Sequence, residues 1–261
     1  MRAFKGGGEP GERTQIHRRA NAMSSPGVML LVLGLAFSGG WAAAQGGPGF
    51  AAKRKAMVSR QIEARGVRDP LVLKAMSDVP RHLFVPAGLA DQAYEDHPLP
   101  IGEEQTISQP YIVALMTECL KLRGGEKVLE VGTGSGYQAA VLARIAACVF
   151  TIEINAALAR QAESTLARLG FANVRVRAGD GFFGWPDEAP FDAVIVTAAA
   201  PEIPPALFAQ LAEGGRLVIP LGDVQTYQRL TVVTKRSGKP RVEQVLDVRF
   251  VPMTGEILKK K

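Results

Sequence analysis

The sequence predicts an α/β fold: a doubly wound, mostly parallel sheet with helices on both faces and an antiparallel hairpin at its C-terminal end. Three observations predict it. From residue 127 onward, short apolar strands alternate with helical segments, the pattern of a parallel sheet built from strand–helix–strand units. A glycine-rich turn, Gly132-Thr133-Gly134-Ser135-Gly136, joins the first strand of that run to its helix. Near the end, RLTVVTKR and VEQVLDVRFV flank Ser237-Gly238-Lys239-Pro240, which reads as a hairpin.

The elements follow in order. Residues 51–65 form a basic amphipathic helix with Met57, Val58 and Ile62 apolar. Asp69-Pro70 starts a second helix through Met76, with Asp as cap and Pro in the first turn. Two prolines frame VPRHLFVP, residues 79–86, and make it irregular; residues 87–107 read as loop because Pro98 and Pro100 break any helix. Ser108 can cap a helix from Gln109 to Leu120, and Pro110 is tolerated in the first turn, where amide donors lack partners. Strands are expected at 127–131, 148–154, 174–179, 191–197 and 215–221, the last after a Gly214-Gly215 turn. Helices are expected at 136–146, 156–169 and 204–211.

Domain organisation follows from composition. Of the 261 residues, 47% are hydrophobic and 21% charged, which suits one domain with some additional sequence. The formal charge of +6 resides at the ends: residues 1–50 hold five basic and two acidic residues, and Lys259, Lys260 and Lys261 close the chain. Between them lie 23 basic and 23 acidic residues, so the body has no overall charge suited to a nucleic-acid backbone. Residues 1–50 read as a signal-like or disordered extension. An apolar run from Val28 to Phe37 precedes Ala42-Ala43-Ala44, as before a secretory cleavage site. Arg18 and Arg19 could supply its basic flank, although a start at Met23 would leave them out. The run is too short to span a bilayer, and no stable membrane anchor is expected. Residues 51–261 read as a single domain: N-terminal helices and substrate loop at 51–107, cofactor core at 108–221, C-terminal hairpin and basic tail at 222–261. Cys119 and Cys148 form no CxxC pair and His17, His82 and His97 are scattered, so no metal site is expected.

The glycine turn points to a cofactor. In a Rossmann-like sheet this first turn is where a nucleotide-like ligand sits, and Gly132, Gly134 and Gly136 let it approach the backbone. Glu153 ends the second strand about 20 residues on, where an acid takes ribose hydroxyls. Glu130, ahead of the glycines, suits a cationic group and would repel a pyrophosphate. An amine-bearing, phosphate-free ligand fits these acids, and S-adenosyl-L-methionine is one. Asp180 and Gly181 follow the third strand; Asp180 is placed either to accept from the adenine amino group or simply to start a turn.

The acceptor is narrowed by chemistry. After the fourth strand the chain reads Thr197-Ala198-Ala199-Ala200-Pro201, lacking the amide or carboxylate that would hold a base amine. Neither cysteine follows a proline, as a cytosine-C5 nucleophile would. A carboxylate acceptor asks for less: titrating at ~4 in an unstructured peptide, it is already ionised at neutral pH and needs orientation, not a base. Thr106, Ser108 and Gln109 are neutral groups able to orient it, with Ser108 as a plain helix cap the competing reading.

Several segments carry a resemblance. VLEVGTGSG, TIEIN, AGDG, FDAVIVTAAAP and LAEGGRLVIP resemble, in order, the motifs of class I S-adenosylmethionine-dependent methyltransferases. LPIGEEQTISQPYIVALMTE resembles the signature of the protein-L-isoaspartate (D-aspartate) O-methyltransferases, and VPRHLFVP, AYEDHPLPIG, VTAAAPEIP and VRFVP are similar to that family across residues 54–257. The resemblance implies methyl transfer from S-adenosyl-L-methionine to the free carboxylate of L-isoaspartyl and D-aspartyl residues in damaged proteins, starting repair through a succinimide. It implies Ser108, with Thr106, at the active site. It implies Gly132, Gly134, Glu153 and Asp180 around the cofactor, with Glu130 in the first motif, and Arg249 and Val251 near the peptide; Thr133, Gly136 and Gly181 in the same turns are further cofactor candidates, and Gln109 a further substrate candidate. The expected partners are isoaspartyl-containing proteins and peptides, with no nucleic acid, and the expected state is a monomer. Cofactor supply implies the cytoplasm; segment 28–44, if it acts as a signal, implies the periplasm or secretion. The alternative activity is a class I methyltransferase acting on RNA or a small molecule.

Overall fold

Proline and aspartate punctuation sets the N-terminal helices. The computed structural model describes residues 1, 48–223 and 226–259; the signal-like segment 28–44 and the tail lysines 260 and 261 lie outside them. Helix α1 (Pro48–Ala56) begins at a proline and so precedes the expected start at residue 51. It continues as a π-helical stretch (Met57–Ile62) and a 3₁₀ turn (Glu63–Arg65). Phe50 stacks on His82 with ring centroids 4.1 Å apart. The expected boundary at residue 50 therefore falls inside the first helix. Asp69 caps α2 (Pro70–Asp78), its Oδ1 accepting from the Leu71 amide at 2.8 Å, as an Asp-Pro start implies.

The segment expected to be loop, 87–107, carries structure. A 3₁₀ helix spans Ala87–Gln92, and β1 (Leu99–Gly102) pairs antiparallel with β2 (Gln105–Ile107). Pro100 faces Thr106 across this two-stranded ribbon, where a missing amide donor is tolerated because both strands are edges.

Helix α3 (Pro110–Leu120) corrects the expected cap. Gln109, not Ser108, occupies the N-cap position, with φ −49° and ψ 135° and no side-chain cap bond. The cause is Pro110: a proline at the first helical position forces its predecessor into extended backbone. Ser108 is thereby left outside the helix.

The main sheet has seven strands in the order β5-β4-β3-β6-β7-β8-β9. These are β3 (Lys127–Val131), β4 (Cys148–Glu153), β5 (Val174–Ala178), β6 (Phe191–Val196), β7 (Leu211–Gly222), β8 (Gln228–Arg236) and β9 (Lys239–Val248). β3 pairs in parallel with both β4 and β6. The chain runs outward through β4 and β5, then crosses back to the other side of β3, which makes the carboxyl end of β3 a topological switch point. β7–β8 and β8–β9 are antiparallel, as the hairpin predicts. β9 ends at Val248, so residues 249–251 leave the strand expected to contain them. β7 starts at Leu211, through the Gly214-Gly215 pair expected to precede it.

Side chains alternate between two cores. Val128, Ala193 and Ile195 face a layer holding α1–α3, α4 (Tyr137–Ala143) and α5 (Ala156–Arg168). Leu129, Val131, Val194 and Val196 face the opposite layer with α6 (Pro205–Ala209), 3₁₀ turns and the segment near Met253 and Ile257. Helices therefore cover both faces, unequally. Among the described residues, no helix is long and apolar enough to cross a membrane.

Candidate active site

The carboxyl ends of the parallel strands open onto a cleft lined by polar and apolar groups from several elements, the place where ligands sit in such sheets. Its floor is the glycine turn. Gly132 has φ +96°, and a Cβ there would lie 2.3 Å from Thr197 Oγ1, so only glycine fits. Thr197 Oγ1 donates to the Gly132 carbonyl at 2.6 Å, tying the end of β6 to the turn after β3. Thr133 and Thr151 hydroxyls lie 2.6 Å apart beneath it.

Glu153 governs the next wall. Its Oε2 accepts from the Gly134 amide at 2.8 Å and its Oε1 from the Asn155 amide at 3.0 Å. Both oxygens keep a further lone pair, and Glu153 lines the cleft with Ile154 and Asn155. Asn155 in turn caps α5, its Oδ1 accepting from Ala157 at 2.8 Å and Leu158 at 3.2 Å.

The acceptor side comes from outside the main sheet. Gln105, Thr106, Ile107 and Ser108 line the same cleft as Gly132–Ser135. Neither the Thr106 nor the Ser108 hydroxyl is engaged by another group among the described residues. Val251, Pro252, Met253 and Thr254 form a further wall. The Ala199 amide donates to Val251 O at 2.8 Å and the Met253 amide to Ala199 O at 2.7 Å, lacing this segment to the end of β6.

Several expected residues are placed elsewhere. Glu130 is fully buried and is not part of the cleft lining. Neither of its oxygens has a hydrogen-bond partner among the described residues. Burial pushes its carboxyl up to about 8, with the Thr151 side chain opposing the rise and the Glu153 charge adding to it. Direct contact with a ligand amine is therefore not what the geometry offers. Asp180 also stays out of the lining, while Gly181 is in it. Its Oδ1 accepts from the Phe182 amide at 2.9 Å and its Oδ2 from the Glu256 amide at 2.7 Å. The turn-forming reading describes this placement, and a long-range tie is added to it. Gly136 starts α4 in the left-handed region, and a Cβ there would press on Leu166 Cδ1 at 3.2 Å. It serves helix packing. Gln109 turns away, its Nε2 donating to Asp96 O at 3.0 Å, and Arg249 is exposed outside the lining.

Other lining residues escaped sequence reasoning: Val113, Tyr137, Gln138, Asn155, Thr197 and Ala198. Asn155, Thr197 and Ala198 closely follow parallel strands, and the rule that ligands sit at carboxyl ends could have found them. Among the described residues, no group of three or more His, Cys, Asp or Glu side chains is arranged to hold a metal ion.

A cleft at the switch point of an open parallel sheet defines an α/β enzyme that holds a nucleoside cofactor. Residues 52–258 match the model of the family described as protein-L-isoaspartate(D-aspartate) O-methyltransferase (PCMT), and the chain belongs to that family. Protein-L-isoaspartate O-methyltransferase 2 of Shewanella sediminis is 58% identical over 206 residues, covering 79% of this chain and 84% of the relative. A solved protein-L-isoaspartate O-methyltransferase superposes with a TM-score of 0.71 at 32% identity, over 78% of this chain and 67% of that one. A Plasmodium falciparum protein described as a protein-L-isoaspartate O-methyltransferase, solved in complex with S-adenosyl-L-homocysteine, gives 0.67 at 26% identity, over 77% of this chain and 98% of that one.

Proposed function

We propose that the cleft binds S-adenosyl-L-methionine along the carboxyl ends of β3, β4 and β5, and that Thr106 and Ser108 orient the acceptor carboxylate beside it. The activity is that of the family: methyl transfer to the free carboxylate of isoaspartyl residues in damaged proteins, whose ester then closes to a succinimide without the enzyme. When bound, the cofactor supplies an electrophilic methyl on a sulfonium.

The residues present fit such a group. Gly132 and Gly134 leave a floor without side chains. Glu153 retains lone pairs for the ribose hydroxyls, and Gly181 leaves room where a larger residue would crowd Val131, since a Cβ there would lie 2.3 Å from Val131 Cγ1. Asp180 contributes indirectly by holding the floor at Gly181 to the segment at Glu256. Val251 closes the wall beside the acceptor. Glu130 acts through its buried position and not by contact.

The observation that carries the acceptor assignment is that Thr106 and Ser108, whose hydroxyls have no partner among the described residues, line the same cleft as the glycine turn, with no histidine in that lining. An isoaspartyl carboxylate is ionised at neutral pH and requires no base. It requires an oxygen held in line with the methyl and shielded from water, and hydroxyl donors on a fixed ribbon supply that. The cofactor is made in the cytoplasm, and we assign the enzyme to that compartment.

Mass-detected methyl transfer to an isoaspartyl peptide and to its normal aspartyl twin tests this. Ester on the first alone is expected. Equal ester on both, or methylation of RNA with neither peptide modified, would overturn the reading.

A further inference from the structure

The turn of the β1–β2 ribbon is strained. It is a two-residue connection, Glu103-Glu104, with φ +50° and +56°. Such turns call for asparagine or glycine, because a side chain in the left-handed region meets its own backbone. Two consecutive glutamates there need a compensating contact. One is present: Asn155 Nδ2 donates to Glu103 Oε2 at 3.0 Å. Asn155 is the residue whose amide binds Glu153 Oε1, and Glu153 Oε2 holds the Gly134 amide. A continuous run of hydrogen bonds thus leads from the tip of the ribbon to the floor of the cofactor cleft. Ile101, buried in β1, leans on the same floor, its Cδ1 3.4 Å from where a Gly134 Cβ would be. Thr106 lies within the second strand of the ribbon, and Ser108 directly follows it.

We propose that Glu103 is a positioning residue: by tying the ribbon to Asn155 it sets Thr106 and Ser108 over the cleft and makes acceptor affinity depend on cofactor occupancy. The inference rests on the assignment of the cleft to cofactor and acceptor. A ligand that engages Glu153 fixes Asn155, and through Asn155 it fixes Glu103 and the ribbon. Bound cofactor therefore completes the acceptor site.

The test uses four variants of the full chain. Glu103→Ala should raise KM for an isoaspartyl peptide by ~3-fold to ~10-fold, the span of one hydrogen bond of ordinary net strength, with kcat and S-adenosylhomocysteine affinity nearly unchanged. Glu103→Gln keeps an acceptor oxygen and should recover most of that loss. Glu103→Gly should relieve strain, raising Tm while raising KM like the alanine variant, so that stability and KM part company. Glu104→Gly should raise Tm with KM unchanged. A peptide KM unaffected by Glu103→Ala, or rising equally in Glu104→Gly, overturns the proposal. Hydrogen exchange across residues 99–108 requires no turnover. It should slow on adding S-adenosylhomocysteine to the wild type and not to Glu103→Ala. If the wild type binds S-adenosylhomocysteine but methylates no isoaspartyl peptide, the acceptor assignment fails while this arm still decides the tie. Equal slowing in both proteins overturns the tie itself.

Discussion

The cofactor side of the cleft is backbone leaving the central strands of a sheet; the acceptor side is a small ribbon and a laced segment attached to that sheet. On the first side, Gly132, Glu153 and Gly181 each lie at or just beyond the end of a parallel strand, and local hydrogen bonds fix each of them. On the second, Thr106 and Ser108 depend on a strand of three residues, one tie at Glu103 and the lean of Ile101 on Gly134. Stability and cofactor binding therefore share one seat, and acceptor handling has another. Damage to the cofactor side should cost fold and binding together. Damage to the acceptor side should cost turnover or peptide affinity alone.

The largest effect expected is at Gly132. Gly132→Ala sets a Cβ against Thr197 in a left-handed backbone, and a displaced floor should lower methyl transfer by about 100-fold or more. Calorimetric titration with S-adenosylhomocysteine and a melting curve should both register it; a normal melting curve with normal affinity would erase the contrast between the two sides. Next, Ser108→Ala should lower kcat by about 10-fold to 100-fold, the scale for a donor aimed at a reacting oxygen. Its Tm should not move, because Gln109 holds the cap position. A lower Tm with unchanged kcat would return Ser108 to the role of a cap. Third, Glu153→Gln should weaken S-adenosylhomocysteine by about 10-fold, with peptide KM at saturating cofactor little altered; equal affinity would refute the ribose assignment.

The smallest effect is read through pH. Burial raises the Glu130 carboxyl to about 8, while an unfolded glutamate titrates at ~4.3. Between those values the folded chain holds a proton that the unfolded chain has lost, so this group makes stability fall as pH rises through that window and level off above it. Glu130→Gln should remove the slope. Its Tm should exceed the wild type's at pH 8 to 9 and converge with it toward pH 4.5. Identical pH profiles by scanning calorimetry would show that Glu130 is not buried as described.

The two sides are unequally legible in the sequence. Alternating strands and a glycine run announce a parallel sheet and its first turn, because burial on both faces leaves near-continuous apolar strands. Glu153 can be located by counting. The ribbon at 99–107 cannot: strands of four and three residues beside Pro98 and Pro100 carry no periodic signal. Ser108 reads as a cap one residue too early, since the effect of Pro110 on Gln109 outweighs the capping preference of serine. Asp180 is legible as a turn former, but its tie to Glu256 joins residues 76 apart in sequence. No local pattern encodes such a meeting. Gln109 and Arg249 lie in segments that do reach the cleft, yet their side chains are not among those lining it, and sequence proximity alone cannot tell neighbours of a site from members of it.

The bond between Asp180 and Glu256 also bears on how the enzyme comes into being. A ribosome delivers Gly132, Glu153 and Asp180 well before the segment 251–256, so the nascent chain can assemble its strands long before the last wall exists. Until Glu256 reaches Asp180 and Met253 reaches Ala199, the half-made protein has the floor of the cleft but lacks the wall formed by residues 251–254. The acceptor wall is thus the last part of the site to be made, and a chain cut short near residue 250 should show no methyl transfer to an isoaspartyl peptide.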